Sequence, residues 1–412
     1  MRQCPTWHAR HCLEESGRSM TNHPEFLEHP GNAALLAGHQ GEYLLPSATA
    51  VQFISAEGTA ITTDKYKECY VFPAPEILLE GYGELVLGRR INEQASALVR
   101  QGRMAVYPSS YGQEACQVAA FMALQRSDWL FATYRDTVAV MGRGVAPMEA
   151  FESLRGDWHS GFDPHEYNTG LPTTPLATQL LHAVGVAHAA KLRGEDTVVL
   201  ALCGDGATSE GDFHEALNFA AVFHIPVVFL VQNNQYAISV PLIHQSVAPS
   251  LAHKAIGYGM PGERVDGNDL AALLAVLGSA VERARNGGGP ALVEAHTYRM
   301  ESHTNADDAT RYRSAEEVAQ WVPKDPLVRL KKYLVHAGVL SQADTDHFGA
   351  AAEALAKTLR DGLNERTEAD PQDMFRFVYS EPTPQLREQS RMLAAELAAA
   401  GVAPTSADGD LP

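Results

Sequence analysis

The sequence predicts an α/β protein, a mostly parallel sheet flanked by helices, with a helical C-terminal region. Three observations predict it. Residues 198–202 (VVLAL) and 227–231 (VVFLV) are short apolar runs rich in β-branched side chains, the pattern of strands buried on both faces. Between them Phe213, Leu217, Ala220 and Ala221 recur at helical spacing, so residues 198–239 read as strand, glycine-rich turn, helix, strand. From Asp325 onward Leu330, Leu334 and Leu355 mark amphipathic helices.

The other elements follow in chain order. Residues 1–50 are polar, with scattered His, Pro and Gly, and read as a disordered or extended tail in which Met20 offers an alternative start. A folded domain is expected over 51–385, followed by a C-terminal helix and tail over 386–412. Residues 51–54 and 59–63 flank Glu57-Gly58 as a small hairpin. A helix is predicted over 75–100, with Leu78, Tyr82 and Leu85 on one face and Gly102 as its stop. Residues 107–115 (YPSSYGQEA) open a further helix, and 129–135 (WLFATYR) form a strand ending in Tyr134-Arg135-Asp136. Gly, Pro, His and Asp crowd residues 155–174, which read as a loop. The next helix places Pro175 in its first turn, where the missing N–H is not needed, and stops at Gly194. Helices over 250–257 and 268–285 flank a short strand at 263–265, and Leu270, Leu273, Leu274, Leu277 and Val281 keep the second one apolar on one face. A turn at 286–290 (NGGGP) leads into a strand at 291–297.

Composition bounds the function. A chain of 412 residues, 45% hydrophobic and 20% charged, can bury a large core as a soluble globular protein. A net charge of −18 argues against a nucleic-acid footprint and against an anionic membrane surface. No apolar run reaches spanning length and the N-terminus lacks a secretion core, so a cytoplasmic location is expected. The five cysteines show no Cys-x-x-Cys pair and no disulfide framework. Cys4, His8, His11 and Cys12 cluster, but their spacing fits no standard zinc site.

A right-handed crossover between neighbouring parallel strands brings both carboxyl ends to one sheet edge. That edge would carry Asp205 and Asn234, oxygen ligands of the kind Mg²⁺ takes while leaving positions for phosphates. Gly204 and Gly206 let the backbone approach a phosphate, and the helix after them aims its N-terminus at the anion. A dinucleotide fingerprint would need Gly or Ala where Ser209 stands, and no Gly-Lys-Ser/Thr follows. The residues therefore read as a Mg²⁺-diphosphate site.

Gly204-Asp205-Gly206 paired with Asn233-Asn234 one crossover later resembles the thiamine diphosphate motif. From about residue 72 to 379 the chain resembles the α subunit of the E1 component of 2-oxo acid dehydrogenase complexes, in the pyruvate and branched-chain branches. The likeness is carried by Tyr111-Gly112-Gln113-Glu114-Ala115, Tyr134-Arg135, Thr174-Pro175-Leu176-Ala177-Thr178-Gln179, Tyr298-Arg299 with His303-Thr304, and the stretch from Met374 to Tyr379. In relatives Gly stands at position 235 and Arg often at 232, where this chain has Gln235 and Gln232.

The resemblance implies a thiamine diphosphate-binding fold with thiamine diphosphate and Mg²⁺ as cofactors. Asp205, Asn234 and the Tyr236 carbonyl would ligate the metal. Tyr134, Arg135, Thr174, Leu176, Gly204, Asp205, Gly206, Ala207, Asn234, Tyr236, Ile238 and His303 would line the cofactor. His303 and His159 would be catalytic, His303 giving a proton to the lipoyl sulfur. Thr173, Pro175, Thr178 and Gln179 match positions that hold a structural K⁺. The implied reaction is oxidative decarboxylation of a 2-oxo acid, pyruvate placed ahead of branched-chain acids, with acyl transfer to the lipoyl domain of E2. The Pro-Leu-Ala-Thr-Gln stretch leans toward the branched-chain branch. The carboxylate that activates the aminopyrimidine would come from an E1 β subunit in an α2β2 assembly. Thr304 replaces a serine phosphorylated in mitochondrial relatives, and Ser314 aligns with a second such site. A transketolase-like thiamine enzyme and an idle scaffolding subunit remain as alternatives.

Overall fold

Alternation of inward-facing residues along the strands builds a sheet with apolar faces on both sides. In the computed structural model, which describes residues 44–61, 69–156, 161–363, 370–376 and 378–401, six strands run in parallel. They are β1 (Trp129–Thr133), β2 (Thr169–Thr173), β3 (Val199–Gly204), β4 (Val227–Asn233), β7 (Gly262–Asp266) and β8 (Ala291–His296), in the order β2-β1-β3-β4-β8-β7. A two-stranded antiparallel hairpin, β5 (Tyr236–Ala237) and β6 (Val240–Pro241), follows β4.

The two sheet faces are filled by different helices. Leu200, Leu202, Val228 and Leu230 point into a core shared with α1 (Pro75–Arg100), α2 (Glu114–Met122) and, further on, α5 (Leu270–Arg283) and α6 (Pro326–His336). Val199, Ala201, Cys203, Val227, Phe229 and Val231 point the other way, onto α3 (Thr178–Arg193) and α4 (Gly211–Val222). The strand order reverses between β1 and β3, which opens a crevice at their carboxyl ends.

At the far edge Val51 bridges Val265 in parallel, and Asp269 fastens the segment there. Its carboxylate caps α5 through the N–H groups of Ala271 and Ala272 and also accepts from Phe53 (2.6 Å) and Ile54 (2.7 Å). Burial raises its pKa to about 6, against the pull of Arg329.

The predicted helix over 75–100 and the strands after it hold their places, with four differences. Residues 155–174 are not all loop, because 169–173 form edge strand β2, where Pro172 and Gly170 are tolerated and a Cβ at Gly170 would run into the Phe131 ring. Pro175 lies outside α3, whose N-cap is Ala177 at φ 66°. A 3₁₀ turn, Gly206–Ser209, separates Asp205 from α4, so the α-helix does not start directly behind the glycines. The stretch near 250–257 is likewise 3₁₀, Leu251–Tyr258.

The described residues divide into two compact units, one running up to Arg360 and one beginning at Asp361. In the second, Thr383 caps the helix Pro384–Ala399, and Arg376 pairs with Asp370 (3.2 Å) and Asp373 (2.7 Å). Among the described residues no helix is long and apolar enough to cross a membrane. Cys4, His8, His11, Cys12 and Met20 lie outside the described residues, as does His159.

Candidate active site

Four strands deliver polar groups to one edge. Arg135 lies two residues beyond β1, Asp205 directly after β3, Asn234 directly after β4, and Arg299 and His303 on the extension of β8. That extension is tied to the end of β4 by Thr297 N–H donating to the Asn233 carbonyl at 2.9 Å.

Three oxygens converge without a proton between them. Asn234 Oδ1 lies 3.0 Å from the Tyr236 carbonyl oxygen and 3.2 Å from Asp205 Oδ1. Its amide nitrogen points away and donates to Gln113 Oε1 at 3.1 Å. Acceptors at van der Waals contact repel unless a cation joins them. Octahedral Mg²⁺ at about 2.1 Å from each ligand spaces neighbouring oxygens by about 3.0 Å, the separation seen here. The donor set of one carboxylate, one amide and one carbonyl suits a hard cation, and it is not a group of three acidic, His or Cys side chains, of which the described residues hold none. Gln245, which sequence reasoning missed, donates to Asp205 Oδ2 at 2.7 Å and leaves Oδ1 facing the other oxygens. Burial pushes the Asp205 carboxyl up, and the Gln245 hydrogen bond opposes it.

Positive charge gathers beside these oxygens. Arg135, buried, donates to the carbonyls of Ser109 (2.8 Å) and His303 (3.1 Å). Arg299, 1% exposed, donates to the carbonyls of Tyr236 (3.2 Å) and Ile238 (2.6 Å), and its Nε has no partner among the described residues. The Tyr-Arg-x-x-x-His pattern held this arginine, yet only its contacts single it out. Both guanidinium groups approach His303 Nδ1, Arg135 at 3.2 Å and Arg299 at 3.5 Å. Donors on that side make Nδ1 the acceptor and leave the ring proton on Nε2. Burial first, then the two arginines, push the His303 pKa down to about 4. Tyr134 meets the His303 ring edge-on, centroids 6.1 Å apart.

The remaining predicted residues divide. Ala207 is buried in the 3₁₀ turn, and a Cβ on Gly206 would sit 2.7 Å from that of Ala237, whereas one on Gly204 would meet no protein atom within 4 Å. Thr174 and Leu176 are exposed ahead of α3, and Ile238 is exposed at φ 55°. Along the hairpin and the turn after it Val240, Ile243 and Val247 are exposed as well. Thr173 Oγ1 lies 3.4 Å from both the Pro175 carbonyl and Gln179 Oε1. Gln235 stands at φ 75°, where glycine is at ease, and is held there by hydrogen bonds from its amide to Asn233 and His296.

A parallel sheet whose carboxyl edge gathers such groups at the switch point is the architecture of α/β enzymes that bind phosphorylated cofactors. Residues 83–369 match the family described as dehydrogenase E1 component. The chain belongs to this family, which uses thiamine diphosphate. It is 47% identical over 349 residues to the "3-methyl-2-oxobutanoate dehydrogenase subunit alpha" of Mycobacterium tuberculosis, covering 84% of this chain and 94% of that one. It is 36% identical over 340 residues to the "Pyruvate dehydrogenase E1 component subunit alpha" of Staphylococcus aureus, covering 82% and 91%.

Proposed function

We propose that this chain is the α subunit of a 2-oxo acid dehydrogenase that binds thiamine diphosphate through Mg²⁺. The observation that carries the reading is the trio of oxygens on Asp205, Asn234 and Tyr236, spaced as cation ligands and otherwise repelling. Arg135 and Arg299 add the charge that a diphosphate needs. When bound, the cofactor supplies the carbon nucleophile and electron sink that let a 2-oxo acid lose carbon dioxide. His303 keeps its single proton on Nε2, away from the arginines, as a donor toward the reacting acid and the lipoyl sulfur. Tyr134 holds that ring edge-on. A K⁺ among Thr173, Pro175, Thr178 and Gln179 would brace the start of α3.

The relatives named as α subunits support a β subunit as partner; an α2β2 assembly with the lipoyl domain of E2 as acyl acceptor completes the proposal. A branched-chain 2-oxo acid is the first substrate to test, because the 47% identical relative carries 3-methyl-2-oxobutanoate in its name. Pyruvate is the second reading, carried by the 36% identical α subunits. The test is calorimetric binding of thiamine diphosphate to the chain purified with its β subunit, with and without Mg²⁺. Asp205→Ala or Asn234→Ala should abolish the metal-dependent part, and equal binding in all cases would refute the site. Decarboxylation of 3-methyl-2-oxobutanoate, pyruvate and 2-oxoglutarate by the same assembly then ranks substrates, and cofactor-loaded protein inert on all three would overturn the activity.

A further inference from the structure

The side-chain amide of Asn234 could face the oxygens of Asp205 and Tyr236 with either end, and only one end serves a cation. The Tyr236 N–H, which donates to Asn234 Oδ1 at 3.3 Å, favours the oxygen end, and a chain of buried amides fixes that choice from the other side. Asn234 Nδ2 donates to Gln113 Oε1 at 3.1 Å, Gln113 Nε2 donates to Gln232 Oε1 at 3.1 Å, and Gln232 Nε2 donates to Asp136 Oδ1 at 2.7 Å. All four residues are at most 6% exposed, so the hydrogen bonds they make to one another carry weight. At its end, Asp136 Oδ2 accepts from Thr133 N–H (2.8 Å) and from Thr133 Oγ1 (2.7 Å). The Thr133 hydroxyl itself accepts from Arg135 N–H, so its proton goes to Asp136. Every partner of this carboxylate is thus a donor.

We infer that Asp136, Gln232 and Gln113 are positioning residues which fix the polarity of an amide relay and thereby turn Asn234 Oδ1, and not its NH₂, toward the cation. Each amide offers a donor at one end and an acceptor at the other, so turning one requires turning all. Turning Gln232 would set its Oε1 against Asp136 Oδ1 at 2.7 Å, acceptor on acceptor. The carboxylate therefore works as a polarity lock at a distance of three hydrogen bonds. The inference rests on the reading that Asp205, Asn234 and Tyr236 hold Mg²⁺.

An isosteric change reverses the lock. In Asp136→Asn, the two Thr133 donors hold the new carbonyl, and the new NH₂ must donate to Gln232. Gln232, Gln113 and Asn234 then turn in sequence. The Asn234 NH₂ would point at the Tyr236 carbonyl (3.0 Å) and Asp205 Oδ1 (3.2 Å), occupying the cation's place with protons. Adding Gln113→Glu restores the orientation. A carboxylate at 113 accepts from Asn234 on one side and from the turned Gln232 on the other, and the network keeps the net charge it had. Gln113→Glu alone sets two acceptors against each other and is harmful.

The experiment measures the Mg²⁺ concentration needed for half-maximal binding of thiamine diphosphate by the full chain purified with its β subunit. Near-ultraviolet circular dichroism checks the fold. Asp136→Asn should raise that concentration about 10–100-fold, the usual effect of misplacing a group behind a metal ligand. The pair Gln113→Glu/Asp136→Asn should return it to within roughly threefold of wild type, against the additive damage of a merely structural role. Asp205→Ala is run alongside. If it loses Mg²⁺ dependence while Asp136→Asn keeps the wild-type value, the relay is refuted and the cation site stands. If Asp205→Ala also binds as wild type, the cation reading fails and takes the relay with it. Where Asp136→Asn does not fold, the double variant decides, and a wild-type Mg²⁺ requirement supports the relay while a loss refutes it.

Discussion

Removing the charge of Arg135 while keeping a donor in its place, Arg135→Gln, tests how the arginines hold His303 neutral. Nδ1 lies 3.2 Å from Arg135 Nη2. A unit charge at that distance is worth about 1.3 kcal/mol in water and about 2.6 kcal/mol at half water's permittivity. At about 1.36 kcal/mol per pH unit this is one to two units. Burial is the larger cause and stays, so the His303 pKa should rise from about 4 to about 5–6, short of its ordinary 6.5. The assay is ¹³C NMR of histidine-labelled, cofactor-free protein between pH 3.5 and 8, the resonance assigned by its loss in His303→Gln. A wild-type His303 that titrates near 6.5, or an Arg135→Gln shift below roughly half a pH unit, would refute the reasoning. The same assignment fixes a stability trend. The folded pKa is depressed below the unfolded 6.5, so the contribution of His303 is full above about 6.5 and is lost as pH falls toward 4. Arg135→Gln should narrow that window.

Gly206→Ala should cost about 1–3 kcal/mol in urea unfolding and weaken cofactor binding, since its Cβ would press on Ala237 at 2.7 Å, while Gly204→Ala leaves stability unchanged and weakens only cofactor binding. Asp269→Asn leaves the Phe53 and Ile54 N–H groups facing an amide NH₂ and should cost about 2–5 kcal/mol, read as a lower urea midpoint with an unchanged slope. Gln235→Gly trades three hydrogen bonds for relief of a left-handed backbone and should alter stability by less than about 1 kcal/mol, whereas Gln235→Ala keeps the strain, loses the bonds and should cost about 1–2 kcal/mol in the same assay.

Much of the architecture was legible because its signals are local. The β-branched runs around Val199 and Val228 are buried on both faces and could be little else, and Pro75 and Gly102 bracket α1 by backbone chemistry alone. Asp205 and Asn234 were legible because a parallel crossover obliges their strands to end together. Strand β2 was not, since its Gly170 and Pro172 are loop residues by composition and strand residues only beside Phe131. Helix α3 starts late for a similar reason, its N-cap Ala177 taking a left-handed backbone that no propensity favours. Gln245 escaped, and Gln113, Gln232 and Arg299 stood only inside motifs or as a departure from one, because uncharged amides and a lone arginine carry no chemical signature until their partners are known. Their importance lies in contacts across 40 to 121 residues of sequence.

The hairpin β5–β6 offers one of the three oxygens from its Tyr236 carbonyl and, on the residues just after, a row of uncovered aliphatic side chains. Under the proposed cation site, any subunit that seats on those aliphatics would stiffen the same few peptide bonds that offer this oxygen. By reciprocity, whatever tightens one association tightens the other. Dilution of the assembled enzyme should therefore shed coenzyme and subunit together, and a surplus of either should guard against loss of its counterpart.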